Sequence, residues 1–325
     1  MCAIMKNNHK YLAEWVHHYL SIGASKVIIY DNNDIADKRV LKNYINLFDR
    51  PYVEIVNWRS VWSGQLPAYE DCYNRYSKKF DWFGFFDSDE YLILNKWKNL
   101  QEMLEEFPDN DLLAINWLNY DDMNVIERDE SIPVMEFFTH VADKWNEFYH
   151  YKQFIRSGID GIELHQHNVV VRNPSLNLVR TNIVHSEVPI SEVITKEFHD
   201  EAFIKHILTK TLKEYINEKA FNGKPTGVDD KTKGASFGYF FEVNERTPEK
   251  EQVIKDFIEY HNSKLRHYFL LNPTYESIKK YSDDKYSVVI TSEKEYHTFL
   301  NRVSSILIMP LKDASKRFPD LIIVK

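Results

Sequence analysis

Asp87 and Asp89 are two carboxylates one residue apart. Five apolar or small residues (Trp82 to Phe86) precede them, and four apolar ones (Tyr91 to Leu94) follow Glu90. Like charges so close at the edge of a core repel, and a hard divalent cation or a hydrogen-bond network relieves them. Mg2+ and Mn2+ bind one or two protein carboxylates and complete their shell with substrate phosphates. An Asp-x-Asp at a strand end therefore suits a metal–diphosphate site; the plain alternative is a solvated surface turn. Two more polar clusters close apolar runs: Lys6-Asn7-Asn8 after Cys2 to Met5, and Asp31-Asn32-Asn33-Asp34 after Lys26 to Tyr30. Alone, Lys6 reads as a solvated turn lysine and Asp31 as an Asx-turn residue. His206 lies in the apolar segment Ala202 to Leu208, beside Lys205 and four residues before Lys210. It reads as a core or capping histidine, or as a late metal or diphosphate contact. The aromatic side chains read mostly as core, and an exposed tryptophan such as Trp58, Trp62 or Trp117 could stack on a sugar or base.

These residues need elements to hold them. Tyr11 to Ile22 carries Leu12, Trp15, Val16, Tyr19 and Leu20 on one helical face, and Gly23 is placed to end that helix. Lys26 to Tyr30, Tyr52 to Val56, Asp81 to Phe86 and Leu112 to Trp117 read as strands. Lys38 to Phe48, Ala68 to Phe80 and Asn99 to Phe107 read as helices between them. Such alternation predicts βαβ units and a largely parallel sheet, whose ligands bind outside the carboxyl ends of the strands. The three polar clusters then line one crevice. Residues 119–174 give no clear period; Asn168 to Arg172 and Leu176 to Val184 read as strands. Thr211 and Glu214 form a capping box for a helix from Leu212 to Phe221, stopped by Asn222-Gly223. Gly227 to Ala235 is a polar loop, and Glu249 to Phe269 a long helix. Strands at Tyr286 to Ile290, Ile306 to Met309 and Leu321 to Val324, with a helix from Glu293 to Val303, complete a small α/β appendage.

The chain has 325 residues, enough for about two domains. Its 49 acids exceed its 41 bases by 8, which argues against a duplex nucleic-acid binder. None of its 9 glycines forms a dinucleotide fingerprint or a P-loop. Cys2 and Cys72 cannot build a disulfide framework. No apolar run approaches the ~18 residues of a membrane helix, and the first residues lack a signal peptide's apolar stretch. The expected location is cytoplasmic, with peripheral contact to the inner face of a membrane open.

MCAIMKNNHKYLAEWVHHYLSIGASKVIIYDNND resembles the start of a glycosyltransferase group related to families 2 and 92, in which a short strand, K-N-E, a helix with E-W and then I-Y-D-N-x-S follow one another. DWFGFFDSDEYLIL is similar to that group's W-x-x-F-I-D-x-D-E-F segment, and FIKHILTKTLKEYINEKAFNGKP to its N-H-Y-x-T-K-S-x-E-E-F block. The three matches stand in order over roughly residues 1–225. Asn8 replaces the group's Glu, Asn33-Asp34 replaces N-x-S, and Trp117 to Asp122 lacks the glycines of its acceptor-side segment. The resemblance implies a GT-A-type nucleotide-binding α/β fold over residues 1–245, a mixed, mostly parallel sheet flanked by helices, with 246–325 as the appendage.

It further implies a metal-dependent glycosyltransferase moving a sugar, a hexose above all, from a nucleotide-sugar donor, UDP-linked, to a glycan or lipid-linked saccharide acceptor. Lys6, Asp31, Asp87 and Lys210 would hold the nucleotide. Asp87, Asp89 and His206 would hold Mn2+ or Mg2+, and Glu90 would brace the site. A general base for the acceptor hydroxyl is expected among Asp121, Asp122 and Glu136. The competing readings are a metal-dependent phosphohydrolase and a catalytically silent sugar-binding module on the same fold.

Overall fold

A computed structural model of the chain describes residues 1–33, 35, 37–45, 50–61, 64–142, 150–173, 175–188, 199–220 and 237–257. These fall into two compact units: Met1–Met123 with Asp129–Lys210, and Asn124–Arg128 with the described residues from Thr211 onward.

The first unit opens with β1 (Cys2–Met5), α1 (His9–Ser21), β2 (Val27–Asp31) and β3 (Val53–Asn57). Every residue of β1 and β2 is buried, as the unbroken apolar runs of parallel strands covered on both faces require. The three strands pair in parallel, Met5 beside Asp31 and Asp31 beside Asn57. Helix α1 buries Tyr11, Leu12, Trp15, Val16 and Tyr19, the face its periodicity predicts. Its polar tips are used as well. The Trp15 indole donates to the backbone oxygens of Asp87 (2.9 Å) and Glu90 (3.1 Å), and the Tyr19 hydroxyl donates to Glu90 O. One apolar helix face thus supports the core and pins the acidic turn. Gly23 follows at φ +98°, a conformation open to glycine. Instead of the helix expected at Lys38 to Phe48, a single 3-10 turn forms at Leu41–Tyr44; residues 46–48 lie outside the described residues.

Next come α2 (Gln65–Tyr76), β4 (Trp82–Gly84), β5 (Glu90–Leu94), α3 (Leu100–Glu105) and β6 (Leu112–Tyr120). They are followed by α4 (Val134–Phe137), β7 (Tyr151–Arg156), β8 (Ile162–Leu164), β9 (Val169–Val171), β10 (Arg180–Asn182) and β11 (Ala202–Ile207). The strands β4-β7-β6-β11-β5 form a sheet in that order, with β10 added beside β6. β7 is antiparallel to β4 and β6, β11 is parallel to β6, and β5 is antiparallel to β11. The expected mostly parallel sheet therefore describes β1–β3, whereas the larger sheet is mixed. Its antiparallel strand β7 falls in the stretch whose sequence shows no clear period. A parallel bridge from Cys2 to Phe85 sets the end of β4 beside β1. As a result β1, β2, β4, β6 and β11 all deliver their carboxyl ends to one edge. The antiparallel strands β5 and β7 begin there.

In the second unit the capping box forms as expected: the Thr211 hydroxyl accepts from the Glu214 amide, and the Glu214 carboxylate accepts from the Thr211 amide. It opens α5 (Leu212–Tyr215), which continues as a π turn over Ile216–Ala220. Next come α6 (Phe237–Val243) and helical residues 248–257. Leu212, Tyr215, Ile216, Phe240 and Ile254 share an apolar cluster, with Val253 and Phe257 against it. The boundary expected between 245 and 246 runs through that cluster. Arg128 and Glu214, both buried, pair at 2.9 Å beside it. The helix stop at Asn222-Gly223, the loop at 227–235, residues 258–269 of the long helix and the strands and helix expected beyond lie outside the described residues. Among the described residues no helix is long and apolar enough to cross a membrane.

Candidate active site

The acidic turn between β4 and β5 stands at the common edge. Asp87 Oδ2 accepts from Lys152 Nζ at 2.8 Å, and Oδ1 accepts from Gln65 Nε2 (3.2 Å) and the Tyr69 hydroxyl (3.3 Å). Glu90 is fully buried, accepts the Asp87 backbone N–H at 2.8 Å and lies 3.5 Å from Lys152. Burial pushes the Glu90 carboxyl well above its ordinary value. Burial alone would lower the Lys152 ammonium, but Asp87 and Glu90 beside it raise it. The repulsion read from Asp87 and Asp89 is thus relieved on the Asp87 side by an internal lysine. Sequence reasoning missed Lys152. The signal was a lysine alternating with Phe154 and Arg156 in YKQFIR, on a strand that was not recognised.

Asp89 faces another way. Its Oδ1 lies 4.0 Å from His206 Nε2, and its backbone oxygen accepts from the Ile207 amide at 2.9 Å. His206 comes from β11, opposite Asn119 of β6 and Glu90 of β5. Asn119 Oδ1 lies 2.9 Å from His206 Nδ1, which places the ring proton on Nδ1 and turns the Nε2 lone pair towards Asp89. The Trp117 ring packs on the imidazole at 4.1 Å between centroids. A carboxylate oxygen and an imidazole nitrogen facing across such a gap fit a divalent cation as two of its ligands. Diphosphate oxygens and water would supply the others. Among the described residues no three of His, Cys, Asp and Glu converge as a metal-binding group. Asp87, Asp89 and His206 are therefore not assembled as the expected three-ligand set. Lys205, next in the strand and on its other face, donates to Met135 O at 2.8 Å, and burial lowers its ammonium to about 8.

Of the expected nucleotide contacts, Asp31 is 2% exposed and committed inward. Oδ1 accepts from the backbone and side chain of Asn33; Oδ2 meets the Leu41 amide and Arg59 at 3.3 Å each. It organises the loop after β2, as the Asx-turn reading has it, and Arg59 is its unforeseen partner. Lys6 is half-buried at the end of β1. The amide of Asn8 donates to Ser88 Oγ at 2.7 Å, tying the first polar cluster to the acidic turn. Lys210 is buried just past β11 with Nζ 3.6 Å from the Tyr11 ring centroid, a cation–π contact. Three of the expected clusters therefore meet at one edge. The Trp58 indole donates to Gly64 O at 3.1 Å, while Trp62 lies outside the described residues.

The expected general bases separate. Asp121 follows β6, Oδ1 accepting from the Met123 amide (2.8 Å) and Oδ2 lying 2.7 Å from His140 Nδ1. Asp122 is 1% exposed, and Glu136 is exposed on α4. His140 has no flanking motif and is brought to Asp121 by the antiparallel bridge between Tyr120 and Val141.

Residues 1–257 match the profile of glycosyltransferase family 92. A glycosyltransferase family 92 protein of Oryza sativa subsp. japonica is 27% identical over 108 residues, 33% of this chain and 18% of that protein. One of Ricinus communis is 28% identical over 128 residues, 37% of this chain and 20% of that protein. The matched stretch thus spans about one fifth of the length of these relatives. With the profile matching 257 of 325 residues, the chain belongs to glycosyltransferase family 92.

Proposed function

We propose that the chain transfers a sugar from a UDP-linked donor to a saccharide or glycolipid acceptor, on a GT-A-type domain over residues 1–245, with residues 246–325 as an appendage outside the donor site. The observation that carries the reading is the pair Asp89–His206, facing across 4.0 Å at the edge where β1, β2, β3, β4, β6 and β11 deliver their carboxyl ends. Family membership supports a transferase over a phosphohydrolase or a silent module. A bound Mn2+ or Mg2+ supplies a Lewis acid that takes up charge developing on the departing nucleoside diphosphate. Asp89 and His206 hold that cation. Asn119 and Trp117 fix the histidine ring, and Lys152 holds Asp87 in place beside it. Lys6 and Asn8, on the loop after β1, flank the approach of the diphosphate.

Titration calorimetry of UDP with and without Mn2+ tests this. Asp89→Ala and His206→Ala should each weaken the Mn2+-dependent binding by 10-fold or more, roughly what loss of a metal ligand or its orienting partner costs. Their melting temperatures should stay close to wild type. Unchanged affinity in a folded Asp89→Ala protein removes that residue from the site.

A further inference from the structure

We infer that His140 is the general base of the transfer, with Asp121 as the residue that positions it. The inference rests on the transferase reading above and assigns the deprotonation within it.

The chain segment carrying His140 runs back beside the end of β6, where β7 has stopped pairing at Asn116 with Tyr151. Tyr120 bridges Val141 in antiparallel fashion, the Asp121 amide donates to His140 O (3.1 Å), and the Ala142 amide donates to Asn119 O (2.8 Å). Asn119 lies on β6 and Asp121 just past its end, where the bridge to Val141 carries the strand's alternation on, so the two share a face. His206 sits opposite Asn119 on one side of β6, and His140 opposite Asp121 on the other. Two strand spacings across and two residues along place the two histidines roughly 12 Å apart between Cα atoms, on one face of one edge. That spacing admits a phosphate oxygen, an anomeric carbon and an acceptor oxygen in line between the metal ligands and the imidazole.

The surroundings of Asp121 and Asp122 favour His140 over either acid. Asp122 is buried at 1% exposure. Asp121 spends one oxygen on the Met123 amide and the other on His140 Nδ1. The His140 side chain is 61% exposed against 17% for Asp121, so the imidazole is the part of the dyad a substrate reaches. A carboxylate on Nδ1–H sets the tautomer with Nε2 as acceptor and stabilises the imidazolium that forms. As the acceptor hydroxyl oxygen bonds to the anomeric carbon, Nε2 takes the hydroxyl proton. The bond from that carbon to the phosphate oxygen breaks, and its electron pair leaves with UDP. The imidazolium then returns the proton to solvent. Attack opposite the leaving group inverts the anomeric centre. Among the described residues, Asp121, Asp122 and Glu136 are ionisable groups on the segments that lead out of β6 and into His140.

The test compares wild type with His140→Gln, His140→Ala and Asp121→Asn. UDP binding with Mn2+ is measured by calorimetry, and UDP release from a panel of UDP-hexoses with saccharide acceptors is followed against pH. Both His140 variants should bind UDP within about twofold of wild type, while turnover falls by about 10²–10⁴-fold, the usual worth of a general base. The acid limb of the pH–rate profile should vanish in His140→Gln, imidazole in the buffer should restore part of the rate of His140→Ala, and in Asp121→Asn the acid limb should move to lower pH. Full turnover with an unchanged acid limb in His140→Gln overturns the assignment. So does loss of UDP binding together with turnover. A wild-type protein that binds no UDP and releases none overturns the transferase reading, and this inference with it.

Discussion

Replacing Lys152 with Met should be among the most destabilising single changes in the first unit. The ammonium is 1% exposed and neutralises Asp87, whose side chain is 34% exposed, and Glu90, which is fully buried. Removing one partner of a buried ion pair costs about 3–5 kcal/mol, because the charge left behind has neither water nor a counter-ion. Asp87 regains water at the site edge, which places the expected loss near the lower bound, about 3 kcal/mol. For a unit of this size that lowers the melting temperature by roughly 6–12 °C. Calorimetric melts of Lys152→Met, of Glu90→Gln and of the double variant measure it. Once the lysine is gone, the buried carboxylate is the liability, so Glu90→Gln should restore about 1 kcal/mol or more in the Lys152→Met background and not in wild type. A Lys152→Met protein within ~1 kcal/mol of wild type would refute the view that the lysine neutralises the acidic turn.

Burial holds the His18 imidazole at about 4 against 6.5 unperturbed, with Nε2 at 2.9 Å from Leu92 O. The unfolded chain therefore binds the extra proton between those values: the contribution, about 3 kcal/mol at most, is full above pH 6.5 and lost as pH falls towards 4. His18→Gln should flatten that decline in urea titrations, and an unchanged slope would sink the assignment. A chain ending at Arg246 loses Val253, Ile254 and Phe257 from the apolar cluster of the second unit and should aggregate more readily. Its soluble fraction should keep Mn2+-dependent UDP binding; soluble, folded protein unable to bind would make the appendage part of the donor site.

Local patterns were readable wherever one element sufficed to explain them. The apolar face of α1 was legible from Leu12, Trp15, Val16 and Tyr19, and the capping box from Thr211 and Glu214, because both signals span a few residues. The meeting of Asn8 with Ser88 was anticipated only through the rule that strand ends share an edge, and that of Asp89 with His206 only through the family resemblance. What stayed hidden depends on contacts far apart in sequence. Lys152 lies 65 residues from Asp87, on a strand whose six residues mix aromatic, basic and amide side chains. Without it, Asp87 reads as a metal ligand; with it, one Asp87 oxygen is engaged by an internal ammonium. Asp31 has the residue type of a ligand contact, but Arg59 and the Leu41 amide, reached only through the loop after β3 and the 3-10 turn, absorb its oxygens. His140 becomes meaningful only once its segment lies beside the end of β6.

Strands that run both ways leave the opposite edge of the first unit without any of this machinery. There β7 ends in Ser157-Gly158, the Ser157 amide donating to Asp81 O, and β6 begins beside Asp111, whose oxygen accepts from the Arg156 amide. Gly158, at φ +76°, has open space where a side chain would project. A tag or surface anchor inserted at that turn would hold the first unit at the end of β7 far from the acidic turn. Attachment there would leave the acidic turn and the Asp89–His206 pair at the other end of the strands from the anchor.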